Sequence, residues 1–286
     1  MTSLPQPVSF TAHLAAAARA AHLLVDPAPH VFTDSLAERW LGDHAEQMLG
    51  PHRGFPQHPV LAGARATAVI RSRYAEDRLA AACTDGVRQY VVLGAGLDSF
   101  AHRAGWAHDV RVFEVDQPAM STYKRDLVAG AGSRPLTRLA LVPVPLGDDP
   151  LLPALVEAGF DPTEPAVFTW LGVTNYLPAD RIRAVLDELA GTAPGTRLVL
   201  DYLLPAELRD EAGAAYADAV MQAAAERQEP WVTFLTRVEA AELLAQSGWS
   251  VEEDLAQDDA IDAELRGRAE TLPRFQLTRL VTARRV

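Results

Sequence analysis

Five short, mostly apolar runs, set between stretches of helical character, constrain this chain more than any other feature. They are Gln89 to Leu93 (QYVVL), Val110 to Val115 (VRVFEV), Leu139 to Val144 (LALVPV), Ala166 to Leu171 (AVFTWL) and Thr196 to Tyr202 (TRLVLDY). Runs this apolar read as strands buried on both faces. Residues 117–129, 151–158 and 179–190 then read as crossover helices. Pro178, Ala179 and Asp180 suit a helix start, and Gly159 and Gly191 suit helix ends because glycine enters the left-handed cap conformation without steric cost. Strands alternating with helices predict an α/β fold with helices on both faces of a sheet.

Past the fifth run the rhythm changes. An alanine-rich helical region covers residues 206–227, and a further helix over 238–246 closes at Gly248. Two more strands are predicted, Trp249 to Leu255 and Phe275 to Ala283, which makes seven in a mainly parallel sheet finished by an antiparallel last strand. The single domain divides into a helical cap (1–64, with helices at Ala12 to Leu24 and Ser35 to Leu41), a core (65–205), a helical insertion (206–230) and C-terminal strands (231–286). The acidic run from Glu252 to Glu264 reads as a solvated loop.

Composition excludes several classes. With 26 Lys plus Arg against 38 Asp plus Glu the formal charge is −12, which repels phosphate backbones, so no nucleic-acid partner is expected. The apolar stretch Leu14 to Val25 is broken by Arg19 and His22, so no membrane span is expected either. The lone Cys83 cannot form an internal disulfide, and a cytoplasmic protein is the expectation.

The most informative passage is VVLGAGLDS, Val91 to Ser99. A buried strand runs into Gly94, Ala95 and Gly96, where glycine permits a tight turn and close approach of a ligand to the backbone. Glu114 and Asp116 follow Gly94 by 20 and 22 residues, the spacing at which an acid ending the second strand receives ribose hydroxyls. A glycine pair after a strand is common turn chemistry, and Glu114 alone could be a solvated strand end; together they predict a nucleotide-like cofactor. Ser99 stands where a dinucleotide site would place a third glycine, which disfavours NAD.

The stretch IRSRYAEDRLAAACTDGVRQYVVLGAGLDSFAHR (Ile70 to Arg103) and VFEVDQP (Val112 to Pro118) resemble the leucine carboxyl methyltransferase type of class I S-adenosylmethionine-dependent methyltransferases. More closely, the chain is similar to the bacterial O-methyltransferases of that group associated with polyketide and other secondary metabolism. FTDSLA (Phe32 to Ala37), WLGVTNYLP (Trp170 to Pro178), RLVLDY (Arg197 to Tyr202) and AELLAQSGW extend it. The resemblance implies a Rossmann-like class I fold with S-adenosylmethionine as cofactor. It implies Arg71 at the methionine carboxylate, Gly94, Ala95 and Gly96 at the same moiety, Asp116 with Glu114 at the ribose, and Leu146 at the adenine. Two positions depart from the family pattern: Pro145 and Leu146 replace a common Asp-Leu pair, and Leu171 stands where others carry a glutamate. Leu171 is therefore expected to offer only apolar contact. Read from the residues alone, Arg71 has no acid at i±3 or i±4, whereas Arg73 has Asp77.

Candidates for catalysis are His22, Asn175 and Tyr176, with Arg19 and Tyr202 as substrate-binding residues. His22 and Arg19 share a face of the first predicted helix, so His22 is placed to act as a base if that helix folds over the site; Tyr176 is equally readable as core packing. His44, His52 and His58 follow no metal-ligand spacing, and no metal is expected. Ser99 lies outside any G-x-S-x-G context, which speaks against a hydrolase. The acceptor is expected to be a small molecule offering a carboxylate or a phenolic or enolic hydroxyl. The rivals are a nicotinamide-dependent oxidoreductase and a non-catalytic scaffold that retains the cofactor pocket.

Overall fold

The computed structural model describes residues 9–286; positions 1–8 of the expected cap lie outside the described residues. A helical cap comes first: α1 (Phe10–Val25), α2 (Ala37–Trp40), α3 (Ala45–Gly54) and the long α4 (Pro59–Thr84). The alternating core follows with β1 (Gln89–Leu93), α5 (Phe100–Arg103), β2 (Arg111–Asp116), α6 (Pro118–Gly130), β3 (Arg138–Pro143), α7 (Leu151–Glu157), β4 (Ala166–Trp170), α8 (Ala179–Leu189) and β5 (Arg197–Leu203). The chain ends with α9 (Glu211–Ala225), α10 (Arg237–Gln246), β6 (Trp249–Ala256), α11 (Ala263–Arg268) and β7 (Thr278–Arg285).

The strands form one sheet in the order β3-β2-β1-β4-β5-β7-β6. The first five are parallel, and β7 runs antiparallel between β5 and β6. This is the mainly parallel seven-stranded α/β sheet that the sequence predicts, with the last strand reversed. All five residues of β1 are buried. Successive side chains take opposite faces: Tyr90 and Val92 join α4 and α5 in one core, and Val91 and Leu93 join α7, α8 and α10 in the other. A third cluster binds α1, α2 and α3 to Leu97 and Met120. Gln89 is satisfied despite burial: its Nε2 donates to Asp161 O, and its Oε1 accepts from the Asp161 N–H, both at 2.8 Å.

Two expectations are corrected. The proline- and histidine-rich region after Leu41 contains α3, with Pro51 inside it, and α4 begins at Pro59, so residues 59–64 share a helix with Arg71. Proline at the first position of α4 costs nothing, since that N–H has no partner in a helix. The acidic run is not a solvated loop. Glu252 to Ala256 belong to β6, Glu253 accepts from Arg78 and Tyr74, and Asp254 accepts from Arg279 and Tyr202. Among the described residues no helix is long and apolar enough to cross a membrane.

Candidate active site

The strand order reverses between β1 and β4, so the connections leaving their carboxyl ends lead to helices on opposite faces of the sheet. A crevice at such a reversal is where open α/β sheets take ligands. Both strands end in a glycine turn. Gly94 and Gly96 follow β1 with φ of +68° and +50°, and Gly172 follows β4 with φ of +67°, a region that side chains with a Cβ enter only at a cost. Neighbouring side chains also crowd both positions. A Cβ on Gly94 would lie 2.4 Å from Val173 Cγ2, and one on Gly172 would lie 2.3 Å from Arg71 Nη1.

The turn after β1 is held by the end of β2. Gly94 and Ala95 N–H donate to Val115 O at 2.9 and 3.0 Å, and Gly96 N–H donates to Asp116 Oδ2 at 2.6 Å. Asp116 Oδ1 accepts from Gln117 N–H at 2.7 Å. Each carboxylate oxygen keeps a lone pair for a further donor. Burial raises the Asp116 carboxyl above its ordinary range, and the two backbone N–H groups oppose that rise. Ala95, Gly96, Glu114, Asp116, Ser121 and Leu141 are among the residues lining a crevice beside the turn. The turn is roofed: a Cβ on Gly96 would meet Ala12 Cβ of α1 at 3.1 Å. The same end of α1 reaches the α9–α10 segment, where Thr11 N–H donates to Glu229 Oε2 at 3.0 Å and the Arg227 guanidinium sits 4.3 Å from the Phe10 ring.

Glu114 lines this crevice with one of its two carboxylate oxygens already paired. Lys124 Nζ donates to its Oε2 at 2.6 Å, its Oε1 is buried without a partner, and burial raises its carboxyl above the usual range against the pull of Lys124. Neither sequence pattern nor spacing pointed to Lys124, because the pair joins a strand to the following helix.

Across the reversal, α4 carries Arg71 to the turn after β4. Its Nη1 lies 3.4 Å from Asp201 Oδ2, and Asp201 Oδ1 accepts from Gly172 N–H at 2.6 Å. Arg71, without an acid three or four residues away on its own helix, has a partner 130 residues away. Asp201 is buried, which raises its carboxyl, while Arg71 and the Gly172 N–H lower it. Sequence reasoning missed Asp201; the signal was an acid inside the buried part of the fifth strand, between Leu200 and Tyr202. Asn175 and Tyr176 follow just past β4, and Tyr216 of α9 packs its ring over Gly63 and stacks on Phe275. Asn175 is 5% exposed; its carbonyl accepts from Val232 N–H at 2.7 Å. Leu146 lies in the core on the α7 and α8 side, and Leu171 packs against the α4 core.

Three candidates are engaged by other protein groups. His22 Nε2 accepts from Val31 N–H at 3.0 Å, which fixes the proton on Nδ1, and Nδ1 donates to Asp26 Oδ2 at 2.8 Å. With its only free lone pair taken, this buried ring is a structural tie, not a base. Arg19 Nε donates to Asp34 Oδ2 at 2.8 Å and Nη2 to Leu97 O at 2.7 Å, so its guanidinium holds protein groups instead of substrate. Tyr202 follows Asp201 along β5 and therefore points to the opposite face. There its hydroxyl donates to Asp254 Oδ2 at 3.0 Å, inside the α8 and α10 core. Among the described residues no three His, Cys, Asp or Glu side chains gather as metal ligands.

A model of the leucine carboxyl methyltransferase family matches residues 12–190, more than half of the chain. Relatives from Mycobacterium tuberculosis and Mycolicibacterium smegmatis, named S-adenosyl-L-methionine-dependent methyltransferases, are 41% and 40% identical over 145 residues. The matched parts cover 50% of this chain and 47% and 48% of theirs; the chain spans about half the length of the curated relatives it matches. A DUF574 family protein from Streptomyces avermitilis superposes with a TM-score of 0.60 at 19% identity, covering 94% of this chain and 97% of that one. A methyltransferase-named structure from Thermobifida fusca gives 0.59 at 16%, covering 99% of both chains. Those two share the fold. On the match over residues 12–190, the chain belongs to the leucine carboxyl methyltransferase family.

Proposed function

We propose that this protein is an S-adenosylmethionine-dependent O-methyltransferase, acting on a carboxylate or a phenolic or enolic hydroxyl of a small molecule of the kind made in secondary metabolism. The observation that carries the reading is the pairing of two glycine turns across the strand reversal, one held by Asp116 and the other packed on Arg71. The residues suit the cofactor. Asp116 retains lone pairs for ribose hydroxyls, and Arg71 presents a half-buried cation to an amino-acid carboxylate. Gly94, Ala95 and Gly96 bring bare backbone to the same place, with Leu146 and Leu171 as apolar contacts.

When bound, S-adenosylmethionine supplies a methyl group already activated by its sulfonium. What remains for this chain is binding and orientation, and holding reactants in line supplies roughly 7–11 kcal/mol of a barrier. Asn175 and Tyr176, beside Gly172, are placed to orient the acceptor. The N-terminal turn of α1 packs on Gly96 and is tied to Arg227 and Glu229, which holds it over the turn. A carboxylate acceptor, with a pKa near ~4, is ionised at neutral pH and needs no base. The engagement of both His22 nitrogens supports that kind of acceptor over a phenol awaiting deprotonation.

Calorimetry with S-adenosylhomocysteine, and transfer of a labelled methyl to a panel of carboxylic acids and phenols, test the reading. Binding with transfer to carboxylic acids is expected. No binding at millimolar ligand, or binding of NADH in its place, rejects it.

A further inference from the structure

The elements that carry the proposed cofactor contacts meet at one buried carboxylate. Asp34, 1% exposed and in the loop before α2, receives groups from several sides. Its Oδ2 accepts from Arg19 Nε of α1 at 2.8 Å, and its Oδ1 accepts from Ser99 Oγ at 2.6 Å and from the Leu36 and Ala37 N–H groups at 3.2 and 3.1 Å. Arg19 continues to the cofactor turn through Nη2 and Leu97 O. Ser99, whose hydroxyl hydrogen is directed at Asp34, accepts from Arg103 Nε at 2.8 Å, and Arg103 pairs with Glu76 of α4, five residues beyond Arg71. Two arginines and two acids thus clamp α1, the Leu97 to Ser99 segment and the helix of Arg71. Burial opposes ionisation of Asp34, but Arg19 and Arg103 outweigh it and hold the carboxyl below its ordinary range.

We propose that Asp34 is a positioning residue for cofactor binding: through Ser99 and Arg19 it fixes the turn from Gly94 to Ser99 under α1. The inference rests on the proposed cofactor. Without this carboxylate the Leu97 carbonyl and the Ser99 hydroxyl lose their common anchor, and the N–H groups of the turn sample orientations that do not match the ligand.

The test uses the full chain with Asp34→Asn, Ser99→Ala and Ser99→Thr, read by S-adenosylhomocysteine titration and by hydrogen exchange of residues 94–99 in ligand-free protein. A lost hydrogen bond weakens binding by roughly 2- to 12-fold. Ser99→Ala is expected in that range with faster exchange in the turn, Ser99→Thr is expected to restore both, and Asp34→Asn is expected to exceed Ser99→Ala. A purely structural role would lower the melting temperature while leaving the affinity of the folded protein and the exchange of the turn unchanged; that result overturns the inference. Should Asp34→Asn fail to fold, the serine pair decides. If wild-type protein binds no S-adenosylhomocysteine, the proposed function falls, and the exchange readings still decide whether Asp34 fixes the turn.

Discussion

Gly96 donates its N–H to Asp116 Oδ2 at 2.6 Å, so one hydrogen bond joins the turn after β1 to the acid that ends β2. Replacing either partner should show in ligand affinity. Gly96→Ala puts a Cβ on a backbone with φ of +50° and 3.1 Å from Ala12 Cβ. The left-handed conformation alone costs about 1–2 kcal/mol. The expected outcome is a lower melting temperature together with weaker S-adenosylhomocysteine binding. Asp116→Ala, which removes a charged acceptor, should weaken binding by more than about 1.5 kcal/mol. Calorimetric affinities equal to wild type in both variants would move the cofactor away from this turn.

On the other side of the reversal, Arg71→Ala should also weaken binding by more than about 1.5 kcal/mol. It also strands the buried Asp201 carboxylate, so a loss of stability should accompany it. Gly172→Ala separates the two effects. Its Cβ would intrude on the guanidinium, the far end of a flexible side chain, so Arg71 can swing away but no longer sits where it does. Reduced affinity with Arg71 still present is the expected result. An unaltered dissociation constant for Gly172→Ala would show that the position of this guanidinium is immaterial.

Much of this site could be read in the sequence because its determinants are local. QYVVL gave β1 to the residue, and the distance from Gly94 to Asp116 is set by one short helix and one strand. What could not be read depends on contacts between distant segments. The partner of Arg71 lies 130 residues away, and the fate of the acids Glu253 and Asp254 depends on Arg78, Tyr74, Arg279 and Tyr202 lying across from them. His22 is the instructive failure. Its helical phase beside Arg19 was legible, but the loop from Asp26 to Val31 folds back to take both ring nitrogens. No periodicity encodes that return.

His22→Ala tests this correction. Leaving the Val31 N–H and one bond of the buried Asp26 unsatisfied should cost about 2–4 kcal/mol of stability. A lost general base would instead lower kcat by about 10²–10⁴-fold in protein that remains folded. The expectation is a clear drop in the urea midpoint with kcat nearly unchanged at low temperature. A collapse of kcat in folded protein would return His22 to the catalytic machinery.

Acid should loosen the cap before the sheet. His52 of α3 is buried beside Arg65 of α4, whose Nη1 lies 3.3 Å from His52 Nδ1. A guanidinium only donates, so Nδ1 must accept and the ring is neutral. Burial and then the Arg65 charge push His52 down to about 4, partly opposed by Asp26. The unfolded chain therefore binds a proton between about pH 6.5 and 4 that the folded one does not. Stability is full above that window and falls as pH drops through it, by roughly 2–3 kcal/mol at pH 4.5 for this residue. His102, held down to about 4 by burial and then Lys124, contributes with the same sign. Asp26 follows at lower pH: burial raises its carboxyl, but His22 and Arg65 prevail and hold it at about 2, so its contribution persists above about 3.8 and is lost toward 2. Urea midpoints measured from pH 7.5 to 4.5 should decline in wild type. The decline should be shallower in His52→Gln and shallower again in His52→Gln/His102→Gln, since glutamine keeps an acceptor and takes no proton. Parallel pH profiles for all three proteins would mean that these rings are already protonated in the fold, and the cap would need another account of its acid sensitivity.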